Sequence, residues 1–153
     1  MSCTLNPRLS PELLVSLAEV HAQSFASSWS VEILRQTVEV PFRHLVIIEQ
    51  NDQLVGFLIF QAVADIAELI TIAVAQNTRC QGLGKRLIDA MGTACLALSI
   101  NQALLEVDEN NKGAICFYEK LSAVKIFTRK DYYHLENNQK SDAYIYKLIF
   151  PLD

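Results

Sequence analysis

Three β-rich runs at 45–49, 54–63 and 67–75 follow one another with almost no chain between them. Each is dense in Leu, Val, Ile and Phe, the residues that fill a pleated, half-buried surface. Gln50-Asn51-Asp52-Gln53 supplies the turn between the first two, and Asp65 sits in the next connection. Connections this short permit hairpins and not crossovers, so the centre of the chain must be an antiparallel meander. Upstream, Ser10-Pro11-Glu12 offers an N-cap, a proline at the first helical position and an acid in the first turn, predicting a helix to about Phe25. Ser30 caps a shorter helix through Ile33, Leu34 and Val38, which Pro41 closes. Downstream, Leu83, Leu87, Met91, Ala94 and Leu98 recur at helical spacing, predicting a helix over 83–99. A short strand at 103–107, a helix from Asn110 or Asn111 to about Leu121, and strands at 124–128 and 144–149 complete the order, the last two separated by the polar stretch 136–142. The expected fold is α/β, one domain over 1–153, with a mixed central sheet flanked by helices.

The charge balance narrows the partners. With 13 basic and 17 acidic residues the net charge is −4, which argues against sequence-independent nucleic-acid binding and suits a cationic substrate. Cys3, Cys80, Cys95 and Cys116 form no CxxC pair, and His21, His44 and His134 are isolated, so no metal site is expected and the thiols are expected to be reduced and structural. The N-terminus lacks a charged-then-apolar secretory pattern. No apolar run reaches the roughly 18 residues of a membrane span. These features lead to the expectation of a cytoplasmic protein with no membrane partner.

The stretch from Asn77 to Met91 carries the chemistry. Its two glycines, Gly82 and Gly84, stand between a strand and a helix, with Arg79, Lys85 and Arg86 around them. A helix start exposes unpaired N–H groups that suit a phosphate, and a glycine lets a ligand approach the backbone. The stretch fits neither the P-loop pattern nor GxGxxG, and a hairpin series precedes it where a dinucleotide fold would have its first β–α unit. Two glycines alone leave a plain turn and an anion cradle equally open.

Arg79-Cys80-Gln81-Gly82-Leu83-Gly84 resembles the Q/R-x-x-G-x-G/A pyrophosphate motif of the GCN5-related N-acetyltransferases. The flanking "DIAELITIAVAQNTRCQGLGKRLI" and "LLEVDENNKGAICFYEKL" are similar to the ribosomal-protein-alanine N-acetyltransferase branch, as are "RKDYYHL" at 129–135 and Phe25 with Trp29-Ser30. The resemblance runs over nearly the whole chain. It implies a parallel strand pair that splays at the acetyl-CoA site, and acetyl-CoA as the donor without a metal. It further implies that Ile72, Ala73 and Val74 offer backbone groups to the donor. Arg79, Cys80, Gln81, Gly82, Leu83, Gly84 and Lys85 are then expected to cradle its pyrophosphate, with Asn111 a further contact.

The same resemblance places Glu106 as general base and Tyr118 as general acid. Glu106 ends an otherwise apolar strand, where an unpaired carboxylate is costly and suited to take a proton from an ammonium, unless period-two geometry turns it to solvent. A phenol of pKa about 10 and a thiol of about 8.5 are close enough for a proton to pass to the departing sulfur. Asn111 lies seven residues before Tyr118, on the same helix face. Tyr118 is otherwise a packing residue beside Ala114 and Leu121. Asp65, Glu68, Tyr132 and Tyr133 are candidates to grip a peptide N-terminus and Trp29 to wall it, although each residue type is also common as surface charge or packing aromatic. A protein α-amine, of pKa about 7.7–8.0, is about a tenth neutral at pH 7, against a few in ten thousand for lysine, so one carboxylate is better matched to an N-terminus.

The expected activity is therefore acetyl transfer to the N-terminal alanine of a ribosomal protein, by a monomer or weak dimer. Acetylation of lysines or small amines is the alternative, and a non-catalytic acyl-CoA-binding module is a further one. The chain departs from the family pattern where Cys80 replaces a basic residue, Asp108 an arginine, Thr71 an asparagine, and Leu121-Ser122-Ala123 the usual "LGF". The last change leaves the turn after the Tyr118 helix to close without glycine.

Overall fold

The computed structural model describes residues 1–152. Its elements are β1 (Ser2–Leu5), α1 (Pro11–Ala22), α2 (Val31–Glu39), β2 (Arg43–Gln50), β3 (Gln53–Val63) and β4 (Ile66–Val74), then a 3-10 turn (Gln76–Thr78). They continue as α3 (Leu83–Ala97), β5 (Gln102–Asp108), α4 (Lys112–Lys120), β6 (Val124–His134) and β7 (Lys140–Ile149). The seven strands form one sheet in the order β1-β2-β3-β4-β5-β7-β6. Every pairing is antiparallel except β4 with β5.

Alternation along the meander divides the core in two. Val46, Ile48, Leu58 and Phe60 face α3, whose Leu83, Leu87, Ile88 and Met91 are buried against them, and Tyr118 of α4 joins this side. Leu45, Ile47, Phe57 and Ile59 face the other way, onto Leu14, Leu17 and Val20 of α1 and Leu34 of α2. Burial of both sheet faces is why these runs read as continuously apolar. Ser10 and Ser30 cap α1 and α2 as expected, each accepting an N–H of the first turn.

Some boundaries differ from expectation. Helix α1 ends at Ala22 and not near Phe25, because the N–H groups of Ser24 and Phe25 both turn back to the His21 carbonyl. Strand β1 adds to the edge of β2, and β6 runs on to His134 across a bulge between Arg129 and Tyr133. The stretch expected as a loop at 136–142 is strand from Lys140. Of the four cysteines, Cys95 is buried; Cys3, Cys80 and Cys116 are exposed, so a packing role holds for Cys95 alone. No helix among the described residues is long and apolar enough to cross a membrane.

One irregularity positions the site. Strand β4 bulges against β3 at the step from Ile59 to Phe60, where Thr71 and Leu69 are the successive partners and Ile70 is left over. A bulge bends its strand and sharpens the twist. The parallel pairing of β4 with β5 accordingly covers only Ala67↔Ala103 and Glu68↔Leu104. Beyond Glu68 the two strands diverge, and the edge of β4 that faces β5 has no partner strand.

Candidate active site

The divergence opens a cleft of about 530 Å³ between β4, β5, the first turn and body of α4, and the loop from α1 to α2. Ile72 comes from β4, Glu106 from β5, and Asn111 and Tyr118 from α4; Trp29, Glu68 and Tyr133 complete the set of expected residues that line it. Asp65 does not: it lies on the exposed turn between β3 and β4. Nor does Tyr132, which is 45% exposed and stacks edge-on against Tyr133 at 5.2 Å. The β6 bulge divides these neighbours, sending Tyr133 inward and Tyr132 out.

Glu106 is not the unpaired carboxylate expected of an apolar strand. Arg129 on β6 donates from Nη1 to its Oε1 at 2.7 Å, with the arginine half-exposed. The carboxylate therefore meets the cleft already held by a cation. Tyr118 is 6% exposed, and burial pushes its phenol well above the ordinary tyrosine value. The gap to a free thiol is wider than the reference values implied. The same desolvation acts on sulfur, as Cys95 shows, its thiol pushed up to about 11 by burial. Asn111 is the N-cap of α4: its Oδ1 accepts from the Ala114 N–H at 3.1 Å, leaving its amide NH₂ to donate.

The glycine turn lies outside the lining of this cleft, and its two glycines do different work. Gly82 adopts φ +78°, a left-handed conformation that favours glycine, and a Cβ there would point into open space. Gly84 faces Phe117 of α4, whose Cζ would stand 3.0 Å from an added Cβ, so the missing side chain lets α3 and α4 pack closely. Among the four α-helices, α3 alone has no side-chain cap. Its first intrahelical bond runs from the Arg86 N–H to the Gly82 carbonyl, leaving the N–H groups of Leu83, Gly84 and Lys85 ahead of it. Cys80 and Gly82, on either side of Gln81, both adopt left-handed φ values just ahead of the helix. That open, uncapped start fits a pyrophosphate.

The cations of this turn are engaged elsewhere. Arg79 donates to the carbonyls of Val74 and Gln23, at 3.2 and 2.6 Å, and to Ser24 Oγ, clamping the turn to the end of α1. Gln23 adds a bond from the Gln76 N–H to its side chain at 2.7 Å. Lys85 pairs with Asp89 at 2.8 Å and Arg86 donates toward Met1 Sδ. The groups left unpaired at the turn are therefore backbone N–H groups more than the expected side chains. Ala73 is buried on the α1 side and keeps its side chain from the cleft.

His21 is the lining residue that sequence reasoning passed over. It is 2% exposed at the end of α1 and lies between the rings of Phe25 and Trp29, at centroid distances of 4.3 and 4.8 Å. Its Nδ1 accepts the Trp29 N–H at 3.1 Å. Nothing in the spacing of an isolated histidine announces this. No group of three or more metal-ligating side chains occurs among the described residues.

Comparison with known proteins agrees with this architecture. The profile of the Acetyltransferase (GNAT) family matches residues 14–123. A ribosomal protein bS18-alanine N-acetyltransferase of Haemophilus influenzae is 30% identical over 129 residues, 84% of this chain and 87% of that protein. The crystal structure of the ribosomal-protein-S18-alanine N-acetyltransferase from Escherichia coli matches with a TM-score of 0.83 at 26% identity, covering 97% of this chain and 94% of that one. Arabidopsis thaliana NAA60 in complex with acetyl-CoA shares the fold, with a TM-score of 0.77 at 18% identity over 97% of this chain and 99% of that one. The family uses acetyl-CoA as acetyl donor. With the splayed strand pair, the uncapped glycine turn and these similarities together, the chain belongs to the GNAT family and is an N-acetyltransferase.

Proposed function

We propose that this protein acetylates the α-amine of an N-terminal alanine on a ribosomal protein, with Glu106 as base and Tyr118 as acid. The observation that carries the reading is that Glu106 and Tyr118, from separate elements, line one cleft beside the free edge of β4. The names of the Haemophilus and Escherichia relatives support the choice of acceptor. Acetyl-CoA supplies the activated thioester when bound. The chain's own residues do the rest. The N–H groups at the start of α3 hold the pyrophosphate. The β4 edge near Ile72 orients the acyl carbonyl, where fixed N–H donors stabilise developing negative charge. Glu106 takes a proton from the acceptor amine, directly or through one water, as the nitrogen–carbon bond forms. Tyr118 holds a proton at Oη and gives it to the departing sulfur as the carbon–sulfur bond breaks. Burial keeps that phenol protonated, and a sulfur leaving in the same dry surroundings is made more basic too.

The amine proposed as substrate enters as a cation and meets Glu106 already paired with Arg129. A half-exposed arginine on an edge strand can yield at small cost, since exposed ion pairs contribute about 0–1 kcal/mol. Glu106→Gln and Tyr118→Phe test the roles. Each should lower turnover about 100-fold or more, the ordinary size of a general acid–base contribution, while the heat of CoA binding stays near that of the unmodified protein. Loss of CoA binding together with turnover would assign both residues to binding and overturn the mechanism.

A further inference from the structure

His21 has a use that packing does not explain. An imidazole nitrogen that accepts an N–H carries no proton, and Nδ1 accepts from Trp29 at 3.1 Å, so the neutral ring carries its hydrogen on Nε2. Among the described residues Nε2 has no hydrogen-bond partner, yet no fully buried side-chain nitrogen or oxygen is left unpaired. The atom therefore has an opening, and the cleft is the space that His21 lines. The ring plane is fixed by nearly parallel stacking on Phe25 and Trp29, at interplanar angles of 22° and 17°, with the tilted Phe57 ring nearby at 6.4 Å. A locked ring presents its donor in one direction.

The charge state matters as much as the direction. Burial lowers the His21 pKa below the ordinary histidine value, so the ring is neutral near pH 7. A neutral donor does not repel an incoming ammonium, and a nitrogen that already holds its proton does not compete with Glu106 as base. The strands that line the same cleft carry carboxylates: Glu106, held by Arg129, and Asp108 on β5, and Glu68 on β4. The cleft thus offers carboxylates from the strands and an oriented neutral N–H from α1.

We infer that His21 is a specificity-determining residue whose Nε2–H donates to the carbonyl oxygen adjacent to the acceptor amine. A peptide N-terminus carries its amine and that oxygen on one Cα. A lysine side chain or a simple alkylamine has no such oxygen beside its nitrogen. The carboxylates select the amine, and His21 selects what stands next to it. This inference rests on the reading of the acceptor as a peptide N-terminus.

The test compares alaninamide with 2-aminopropane, which lacks the carbonyl, at saturating acetyl-CoA in the unmodified protein and in His21→Phe. Phenylalanine keeps the aromatic stack and removes both nitrogens. The expected result is a rise in KM for alaninamide of about three- to tenfold, the size of one neutral hydrogen bond. The rate constant for 2-aminopropane and the KM for acetyl-CoA should hold, and taking ratios between the two proteins cancels the amines' own basicity. Equal losses for both amines would reduce His21 to a support for the loop and overturn the inference.

If His21→Phe does not fold, imidazole ¹⁵N resonances of the unmodified protein decide. Nε2 should be the protonated nitrogen at pH 7 and should shift when CoA and an unreactive alanine-peptide analogue bind; an unmoved resonance overturns the inference. A protein that favours alaninamide equally with and without His21 contradicts this inference alone. One that shows no preference for alaninamide, after allowance for free-amine fraction, contradicts the N-terminal reading beneath it.

Discussion

Ser122 adopts φ +63° at the end of α4, where the Ala123 N–H reaches back to the Tyr118 carbonyl and the Ser122 N–H to Glu119. This is the position that glycine usually takes, and a side chain there costs about 1–2 kcal/mol. Ser122→Gly should raise the unfolding free energy by about 0.5–1 kcal/mol, after the greater freedom of glycine in the unfolded chain is subtracted; urea denaturation measures it, and unchanged stability would mean the turn is unstrained. The need for an unusual turn at this place was legible in the sequence, because a helix must stop between Tyr118 and the next strand. Single-residue chemistry was less so. Glu106 and Tyr118 could be nominated from their motifs, but the Arg129 partner lies 23 residues from Glu106 along the chain and on another strand. His21 was hidden for the same reason, since its meaning depends on a loop folding back onto it. Arg79 stood in the right motif, yet its guanidinium turns to carbonyls that only the folded chain brings near.

Elements with a strong apolar pattern were read correctly, whereas exposed edge strands were read in part or missed. Strands β2, β3 and β4 carry nearly continuous apolar runs and helix α3 carries apolar residues at helical spacing, so their existence could be inferred. Strand β1 is exposed at all four residues and held to β2 by backbone bonds, which leave no mark on side-chain pattern. Strand β6 is an exposed edge with a bulge, and the mixed composition at 129–134 hid its second half. Close packing between elements is likewise invisible until the faces meet. Gly92 in α3 is such a contact: an added Cβ would stand 2.6 Å from Cδ1 of the buried Phe150. A Gly→Ala change in a helix is ordinarily favourable by about 1 kcal/mol. Here the overlap with a packed ring should win, as overpacking costs about 1–3 kcal/mol or more. Gly92→Ala is expected to lower the midpoint of denaturation, and a stabilised variant would show that Phe150 can move aside.

Across the whole molecule, one sheet, buried on both faces at its centre, opens at the junction where neighbouring strands run parallel and not antiparallel. The order of elements, and hence the fold class, followed from the sequence. The extent of the opening did not, because two residue pairs of parallel pairing and a bulge at Ile70 are matters of register. That opening is where Glu106 from the fifth strand, Tyr118 from the last helix and His21 from the first helix meet around one space. The acceptor we propose for it is an amine that is partly neutral at pH 7 and carries a carbonyl beside it. The direct measurement is the initial rate of acetyl transfer from acetyl-CoA to a short peptide beginning with alanine, against the same peptide blocked at its α-amine and carrying a lysine. The free N-terminus should react about a hundredfold faster or more, in line with its larger neutral fraction. Equal rates on the two peptides would contradict an N-terminal acetyltransferase.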